Sequence, residues 1–307
     1  MPKTLIVILG PTGIGKTSLG LQIAKYYSTE IISCDSRQIY REMRIGTAVP
    51  DQATLSQVKH HFIQSHSIQD YYNASKFEVE VLQTLQMLFE NHEVVVMVGG
   101  SMMYVDAVCK GIDDLPEVDP EIRQSLIERM NKEGIESLRM DLRYLDPVYY
   151  AEADLRNPKR IMHALEICLM TGKPYSSFRT RKIKKRDFDI LKIGLNTERS
   201  ILYERIDQRV EEMFREGLVE EAHKLYPLRH LNSLNTVGYK ELFDYFEEKT
   251  SLEEAKEKIK TNSHKYARKQ LTWFSGDSSI NWFSPGMESE ILKFLDEHLH
   301  LQDLRNI

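Results

Sequence analysis

Short continuous apolar runs and stretches of helical period alternate along the first part of the chain. Residues 5–9 (LIVIL), 30–34 (EIISC) and 93–98 (EVVVMV) have the length and β-branching of strands buried on both faces. Residues 189–195 (DILKIGL) return to that character, and 281–283 predict a last short strand. Helical periods lie between them. Residues 18–27 put Leu19, Ile23, Tyr26 and Tyr27 on one face, and 76–91 do the same with Phe77, Val81, Leu85, Leu88 and Phe89. Residues 101–110 offer Met103, Tyr104, Ala107 and Val108 for packing, and further helices are predicted at 197–216, from 235–240, at 251–274 and at 288–300. Strands alternating with helices predict a parallel sheet with helices on both faces.

From Gly111 the pattern changes. Residues 115–120 are hinge-like, and Asp119-Pro120-Glu121 is a good helix start. Helices are predicted at 121–132, 134–144 and 157–171, broken by Gly134, Pro147 and Gly172, with no strand-length apolar run among them. The expected organisation is an α/β core of 1–114 and 186–307 carrying a helical insertion at 115–185.

Charge sharpens this division. The 307-residue chain carries a net charge of −5, yet 156–186 holds ten basic residues (Arg156, Lys159, Arg160, Lys173, Arg179, Arg181, Lys182, Lys184, Lys185, Arg186) against one acid, Glu166. Positive charge concentrated in one module of an acidic protein suits a polyanion. Toward the end of the 251–274 helix, basic residues interleave with aromatics (HKYARKQLTWF, 264–274). That pattern suits RNA, through phosphate pairing and base stacking. Helix packing by Tyr266, Leu271, Trp273 and Phe274 is the competing account. Cys34, Cys109 and Cys168 have no C-x-x-C spacing, which argues against a zinc site and a disulfide framework and for a reducing compartment. No apolar run approaches the roughly 18 residues of a membrane span, and the first strand leaves no room for a signal peptide. A cytoplasmic monomer without membrane contact is the expectation.

The chemistry begins where the first strand ends. Gly10-Pro11-Thr12-Gly13-Ile14-Gly15-Lys16-Thr17 is a full match to G-x-x-x-x-G-K-[ST], between a strand and a helix. Such a loop curls backbone N–H groups around an anion at the positive end of the helix. Lys16 adds a point charge, and the Thr17 hydroxyl can hold a magnesium ion. The predicted fold is therefore P-loop NTPase-like. Asp35 to Tyr40 (DSRQIY) follows the second strand, at the sheet edge where α/β proteins place their chemistry. The third strand closes on Gly99-Gly100-Ser101, where a hydrolase of this type has an Asp supporting magnesium. This counts against an ordinary ATPase. Arg205 and Arg209, four apart on one helix, are placed to reach back to the phosphate site. Adjacent His60 and His61 point in different directions and suit packing or hydrogen bonding better than joint metal ligation.

Five motifs in order, GPTGIGKT at 10–17, DSRQIY at 35–40, GGSMMY at 99–104, NTVGYK at 235–240 and ARKQLTWF at 267–274, closely resemble the bacterial tRNA dimethylallyltransferases over about residues 5–283. The resemblance implies transfer of the prenyl group of dimethylallyl diphosphate to N6 of adenosine 37, beside the anticodon. The P-loop would then hold the diphosphate leaving group, with Mg2+ near Thr17. The family's RIEQRF-like segment, RIDQRV here, makes Arg209 its arginine, with Arg205 as a neighbour. Asp35 would accept the N6 proton, with a helix cap or magnesium ligand as the alternative role. Ser101 would orient substrate.

The tRNA contacts implied are Asp35, Ser36, Arg37, Gln38, Ser101 and Arg123; Lys159, Arg160, Ile161, Met162 and His163; Asn235, Thr236, Val237, Gly238, Tyr239 and Lys240; and Arg268, Lys269, Gln270, Leu271, Thr272, Trp273, Phe274 and Ser275. Departures from the family pattern are small: Gly13-Ile14, Arg37, Lys59, and Ser101 in place of Thr. The cysteine pattern leaves no zinc finger of the kind many eukaryotic relatives carry. Rival activities are a P-loop kinase of a nucleoside-like metabolite, an adenylate prenyltransferase, and a non-catalytic RNA-binding P-loop protein.

Overall fold

The computed structural model describes residues 3–113, 115–116, 119–180 and 182–305, with side chains through 299. Arg181 of the basic run, and Glu117 and Val118 of the hinge-like segment, lie outside the described residues. The chain divides into an α/β unit, Met1–Cys109 with Lys185–Ile307, and a helical unit, Lys110–Lys184.

The α/β unit opens with β1 (Thr4–Leu9), α1 (Lys16–Tyr26), β2 (Ile31–Cys34), the single-turn α2 (Gln52–Leu55), β3 (His60–His61), α3 (Ala74–Leu88), β4 (Val94–Gly99) and α4 (Met102–Lys110). The helical unit holds α5 (Pro120–Glu133), α6 (Ile135–Leu145), α7 (Pro147–Glu152) and α8 (Pro158–Thr171). The α/β unit resumes with β5 (Asp189–Leu195), α9 (Arg199–Arg215), α10 (Leu218–Leu225), α11 (Tyr239–Phe246), α12 (Leu252–Phe274), β6 (Ile280–Phe283) and α13 (Glu288–Arg305).

The six strands of the described residues form one parallel sheet in the order β3-β2-β4-β1-β5-β6. Strand β1 lies inside it and is buried along its whole length. Its alternate residues feed two cores: Leu5, Val7 and Leu9 pack with α3 and α4, whereas Ile6 and Ile8 pack with α1, α9 and α13. Each such side chain contributes about 1.5–3 kcal/mol by leaving water. A third core joins α9, α10, α11 and α12 around Val210, Leu218, Tyr239 and Ile259.

Several departures from the sequence expectation have local causes. Helix α1 begins at Lys16, inside the glycine motif, because Gly15 takes the left-handed conformation (φ 103°) that starts it. Tyr26 and Met103, expected on buried faces, are 54% and 52% exposed. The Tyr26 hydroxyl donates to Asp296 Oδ2 at 2.7 Å, so its polar end holds it at the surface. The paired histidines form a two-residue edge strand against β2, with a His61–Glu30 contact of 2.6 Å and a His60 Nδ1 to Val58 carbonyl contact of 2.8 Å.

The helical unit is built around Leu126, Leu138, Leu142, Ile161 and Leu165. Pro147 starts α7 rather than only breaking a helix. Pro147 stands in the first turn, where a missing N–H costs nothing, and the buried Asp146 accepts from Tyr149 N at 2.9 Å. Gly172 ends α8 in the left-handed region (φ 65°). Backbone hydrogen bonding from Lys184 N to Lys110 O (2.8 Å) draws the two ends of the unit together.

Candidate active site

The carboxyl edge of the sheet gathers the loops after β1, β2 and β4. In the first of these, Gly10, Gly13 and Gly15 have φ of 144°, 78° and 103°, values that L side chains rarely adopt. A Cβ on Gly10 would also meet the Leu195 carbonyl at 2.6 Å. No side chain caps α1, so its first N–H groups are left for an anion. One donor expected of 10–17 is lost: Thr12 N is taken by Gln270 Oε1 at 2.9 Å. Lys16 Nζ donates to the Pro11 carbonyl at 2.7 Å. Burial, then the Arg209 guanidinium, push its pKa down to about 7 against the pull of Asp35. Arg209 donates to Thr12 Oγ1 (3.2 Å), and burial lowers its own pKa against Asp35 and Glu212. Arg205, more exposed, reaches the Ile14 carbonyl at 3.5 Å.

In the loop after β2, Asp35 Oδ1 accepts from Arg37 N (2.8 Å) and Gln38 N (3.2 Å). No helix follows Asp35, so it caps none: the Arg37 and Gln38 amides orient its half-buried carboxylate within a turn, and among the described residues Oδ2 accepts no hydrogen bond. The neighbours of Asp35 are spent on architecture. Arg37 donates to the Ser233 carbonyl (2.8 Å), and Gln38 Nε2 to the Thr47 and Ala48 carbonyls (3.1 and 2.9 Å).

Two cavities open here. The first, of about 370 Å³, is walled by the P-loop, Ser33, Val98, Gly99, Gly100 and Arg205. The second, of about 550 Å³, is walled by Ser36, Arg37, 235–238, Lys240, Lys265 and Lys269. Thr12, Asp35, Thr47, Arg209 and Tyr266 line both. A chamber lined by the P-loop and a polar, basic one thus meet at one carboxylate and one guanidinium.

The glycines replacing the hydrolase Asp have a packing reason. A Cβ on Gly99 would run into the Cys34 carbonyl carbon and oxygen, and one on Gly100 would run into the Gln270 amide.

These features accompany a clear kinship. The family model described as IPP transferase matches residues 38–277. The chain belongs to this family. A relative named tRNA dimethylallyltransferase 1 from Phocaeicola vulgatus is 53% identical over 300 residues, spanning 98% of this chain and 100% of the relative. Another of that name from Bacteroides fragilis is 56% identical over 293 residues, spanning 95% and 97%. The solved structure of the full-length tRNA isopentenylpyrophosphate transferase from Bacillus halodurans is 34% identical, with a TM-score of 0.72, covering 99% of this chain and 100% of that one. A eukaryotic dimethylallyltransferase described as acting on tRNA, 24% identical, shares the fold at a TM-score of 0.75 over 92% of this chain and 74% of its own. The sheet, the P-loop and the glycine pair thus stand in a chain whose family and curated relatives are transferases.

Within this IPP transferase chain the candidate residues separate into groups. Lys16, Arg209 and Asp35 meet at the cavities, as do Asn235, Thr236, Val237, Gly238, Lys240 and Lys269. Ser101 is 6% exposed and lines neither cavity. Its hydroxyl accepts from Ser36 N at 2.8 Å and donates to Ser36 Oγ at 3.2 Å, and so holds the loop after β2. Tyr239 and Phe274 are core side chains at 0% and 3% exposure, so neither offers a ring to RNA. Tyr239 instead donates to Glu221 Oε1 at 2.6 Å. Trp273, at the surface, donates to Asp106 at 2.8 Å, while Arg268, Thr272 and Ser275 are exposed on or just after α12.

In the helical unit Ile161 is core, because its position on α8 faces Leu126 and Leu142. Lys159 and Arg160 are exposed, with Met162 and His163 half-buried. The Arg123 fork is engaged by the buried Glu166, at 2.7 and 2.9 Å.

Three residues escaped the sequence analysis. Tyr266, for which base stacking and helix packing both stood open, lines both cavities, and its pKa is pushed up to about 12 by burial and then Asp35. Its signal was available, one helical turn before Gln270 on α12. Thr47 and Glu221 gave no such signal. The Glu221 carboxylate accepts from the consecutive amides of Arg44, Ile45 and Gly46 at 3.0, 2.8 and 2.9 Å, and so holds the loop that carries Thr47.

Proposed function

We propose that this protein transfers the dimethylallyl group from dimethylallyl diphosphate to N6 of adenosine 37 in tRNA. The observation that carries this reading is the meeting of the two cavities at Thr12, Asp35, Thr47, Arg209 and Tyr266. The P-loop chamber takes the diphosphate, and the basic chamber takes an adenine turned out of the anticodon loop. An exocyclic amine on a purine is a weak nucleophile, so positioning and charge stabilisation supply most of the acceleration. The bond from C1 of the prenyl chain to the bridging oxygen breaks, the bond from C1 to N6 forms, and the electron pair leaves with the diphosphate. The N–H groups of α1, Lys16 and Arg209 receive that charge. The N6 proton goes to Asp35 Oδ2, the carboxylate oxygen with no hydrogen-bond partner among the described residues.

Among the described residues no group of three His, Cys, Asp or Glu could hold a metal by itself. The exposed Thr17 hydroxyl at the start of α1, together with diphosphate oxygens, offers the all-oxygen donor set that suits Mg2+. Mg2+ held there would neutralise diphosphate charge. We assign the exposed Lys159 and Arg160, and Lys240, Lys265 and Lys269 beside the second cavity, to tRNA phosphates. No helix among the described residues is long and apolar enough to cross a membrane, and we place the enzyme in the cytoplasm as a monomer.

Purified protein with Mg2+, dimethylallyl diphosphate and unmodified tRNA is expected to yield a prenylated adenosine, seen as a mass gain in digested nucleosides. Transfer to free AMP with tRNA untouched, or phosphate release from ATP without a prenyl adduct, would overturn the proposal.

A further inference from the structure

Gln270 is buried to 2% exposure on α12, and its amide is used at both ends. Its Oε1 accepts from Thr12 N at 2.9 Å, and its Nε2 donates to the Gly100 carbonyl at 2.8 Å. One side chain thus ties the P-loop after β1 to the loop after β4. The tie continues outward, because Thr12 Oγ1 accepts from Arg209, which lines both cavities. Gly100 belongs to the same device: a Cβ there would collide with Gln270 Nε2. The strand end that in a hydrolase carries a metal-supporting Asp is here kept bare so that an amide from a distant helix can cross it.

We propose that Gln270 is a positioning residue for the diphosphate: it sets the height and tilt of the P-loop through Thr12, and with it the place of Arg209, rather than contacting tRNA. This rests on the P-loop being the leaving-group cradle. An amide is needed because the two partners are of opposite kind, an N–H to be accepted and a carbonyl to be donated to, and the side chain that joins them is buried.

The test uses the full chain and inorganic diphosphate as probe, by calorimetry, together with kcat and KM for dimethylallyl diphosphate. Gln270→Met is expected to weaken diphosphate binding roughly tenfold or more and to raise KM, with an unchanged circular dichroism spectrum. Gln270→Glu is the discriminating variant. Its ionised carboxylate can accept from Thr12 N but repels the Gly100 carbonyl, whereas its protonated form donates to that carbonyl and restores both bonds. Diphosphate affinity relative to wild type is therefore expected to recover as pH falls. Lys16, Asp35, His60, Arg205, Arg209, Glu212 and Tyr266 surround the same cavity in both proteins, so the ratio isolates residue 270. A ratio flat with pH, whether near one or uniformly low, would overturn the assignment. Gly100→Ala provides a second approach where the Gln270 variants unfold, because its Cβ displaces the Gln270 amide. With an unchanged circular dichroism spectrum it should weaken diphosphate binding and raise KM, and an unchanged KM and affinity would count against the tie. If the wild type binds no inorganic diphosphate, the cradle reading fails and takes this proposal with it.

Discussion

Lys16 and Arg209 of the α/β unit and Lys159 and Arg160 of the helical unit carry the same formal charge in opposite surroundings. The first pair lies against a cavity, where burial lowers both pKa values and each cation is fixed by a P-loop oxygen. The second pair stands exposed in the first turn of α8. A desolvated charge is costly to hold, so an anion that restores its partner is bound strongly and at one place. An exposed charge is cheap and salt-screened, and its use is steering and additive contact. Under the proposed function, the few buried charges serve chemistry and the surface charges serve affinity.

The largest expected effect tests the chemical side. Asp35→Asn keeps the acceptor for Arg37 N and Gln38 N but removes the base, and turnover should fall about 10²–10⁴-fold while tRNA retention on filters stays near wild type. Loss of tRNA binding with intact chemistry in bound complexes would remove the assignment.

Next comes pH. With its pKa near 7, Lys16 in the free site loses its proton as pH rises above that value, and an incoming anion restores it. Binding of inorganic diphosphate should take up a proton above pH 7, visible by calorimetry in buffers of different ionisation heat. The affinity should weaken by up to about tenfold per pH unit, a slope that Lys16→Met removes.

On the steering side, Lys159 and Arg160 changed together to Ala should weaken tRNA binding several-fold, and the salt dependence of log K should flatten by roughly 1–2. Turnover at saturating tRNA should hold. An unchanged slope would exclude these residues from the RNA interface.

The smallest effect on catalysis is expected at Glu166→Gln. Burial opposes the charge of Glu166, and hydrogen bonds from His163 and Arg123 outweigh it, holding its pKa below the usual value of 4.5. This stability is present above the unfolded carboxyl range and is lost as pH falls through the lower folded value. The variant should cost the helical unit about 1–3 kcal/mol, read as a lowered melting temperature, and its difference from wild type should shrink in acid.

Much of this molecule was legible in its residues because the signals are local. Buried strands of a parallel sheet are continuous apolar runs, a P-loop needs its glycines at fixed spacing, and Ser251 with Glu254 forms a capping box that starts α12. Misreadings arose where local pattern underdetermines the environment. Tyr239 and Phe274 look like RNA-facing aromatics within their motifs, yet they pack in cores assembled from distant segments. Arg123, a tRNA contact by resemblance, also holds Glu166, 43 residues on, a pairing no local pattern announces.

The sequence by itself determined most of the strands and helices, though not α2, β3, α7 or α10, and with them the place of the P-loop and the basic character of the insertion, since period, glycine spacing and charge are properties of neighbouring residues. Tertiary structure alone decided that Asp35 and Arg209 stand between two cavities. It also decided that Glu221 holds the loop bearing Thr47, and that Gln270 crosses to Thr12 over a separation of 258 residues. Such pairings depend on how the sheet orders its strands and how α9 and α12 close over its edge.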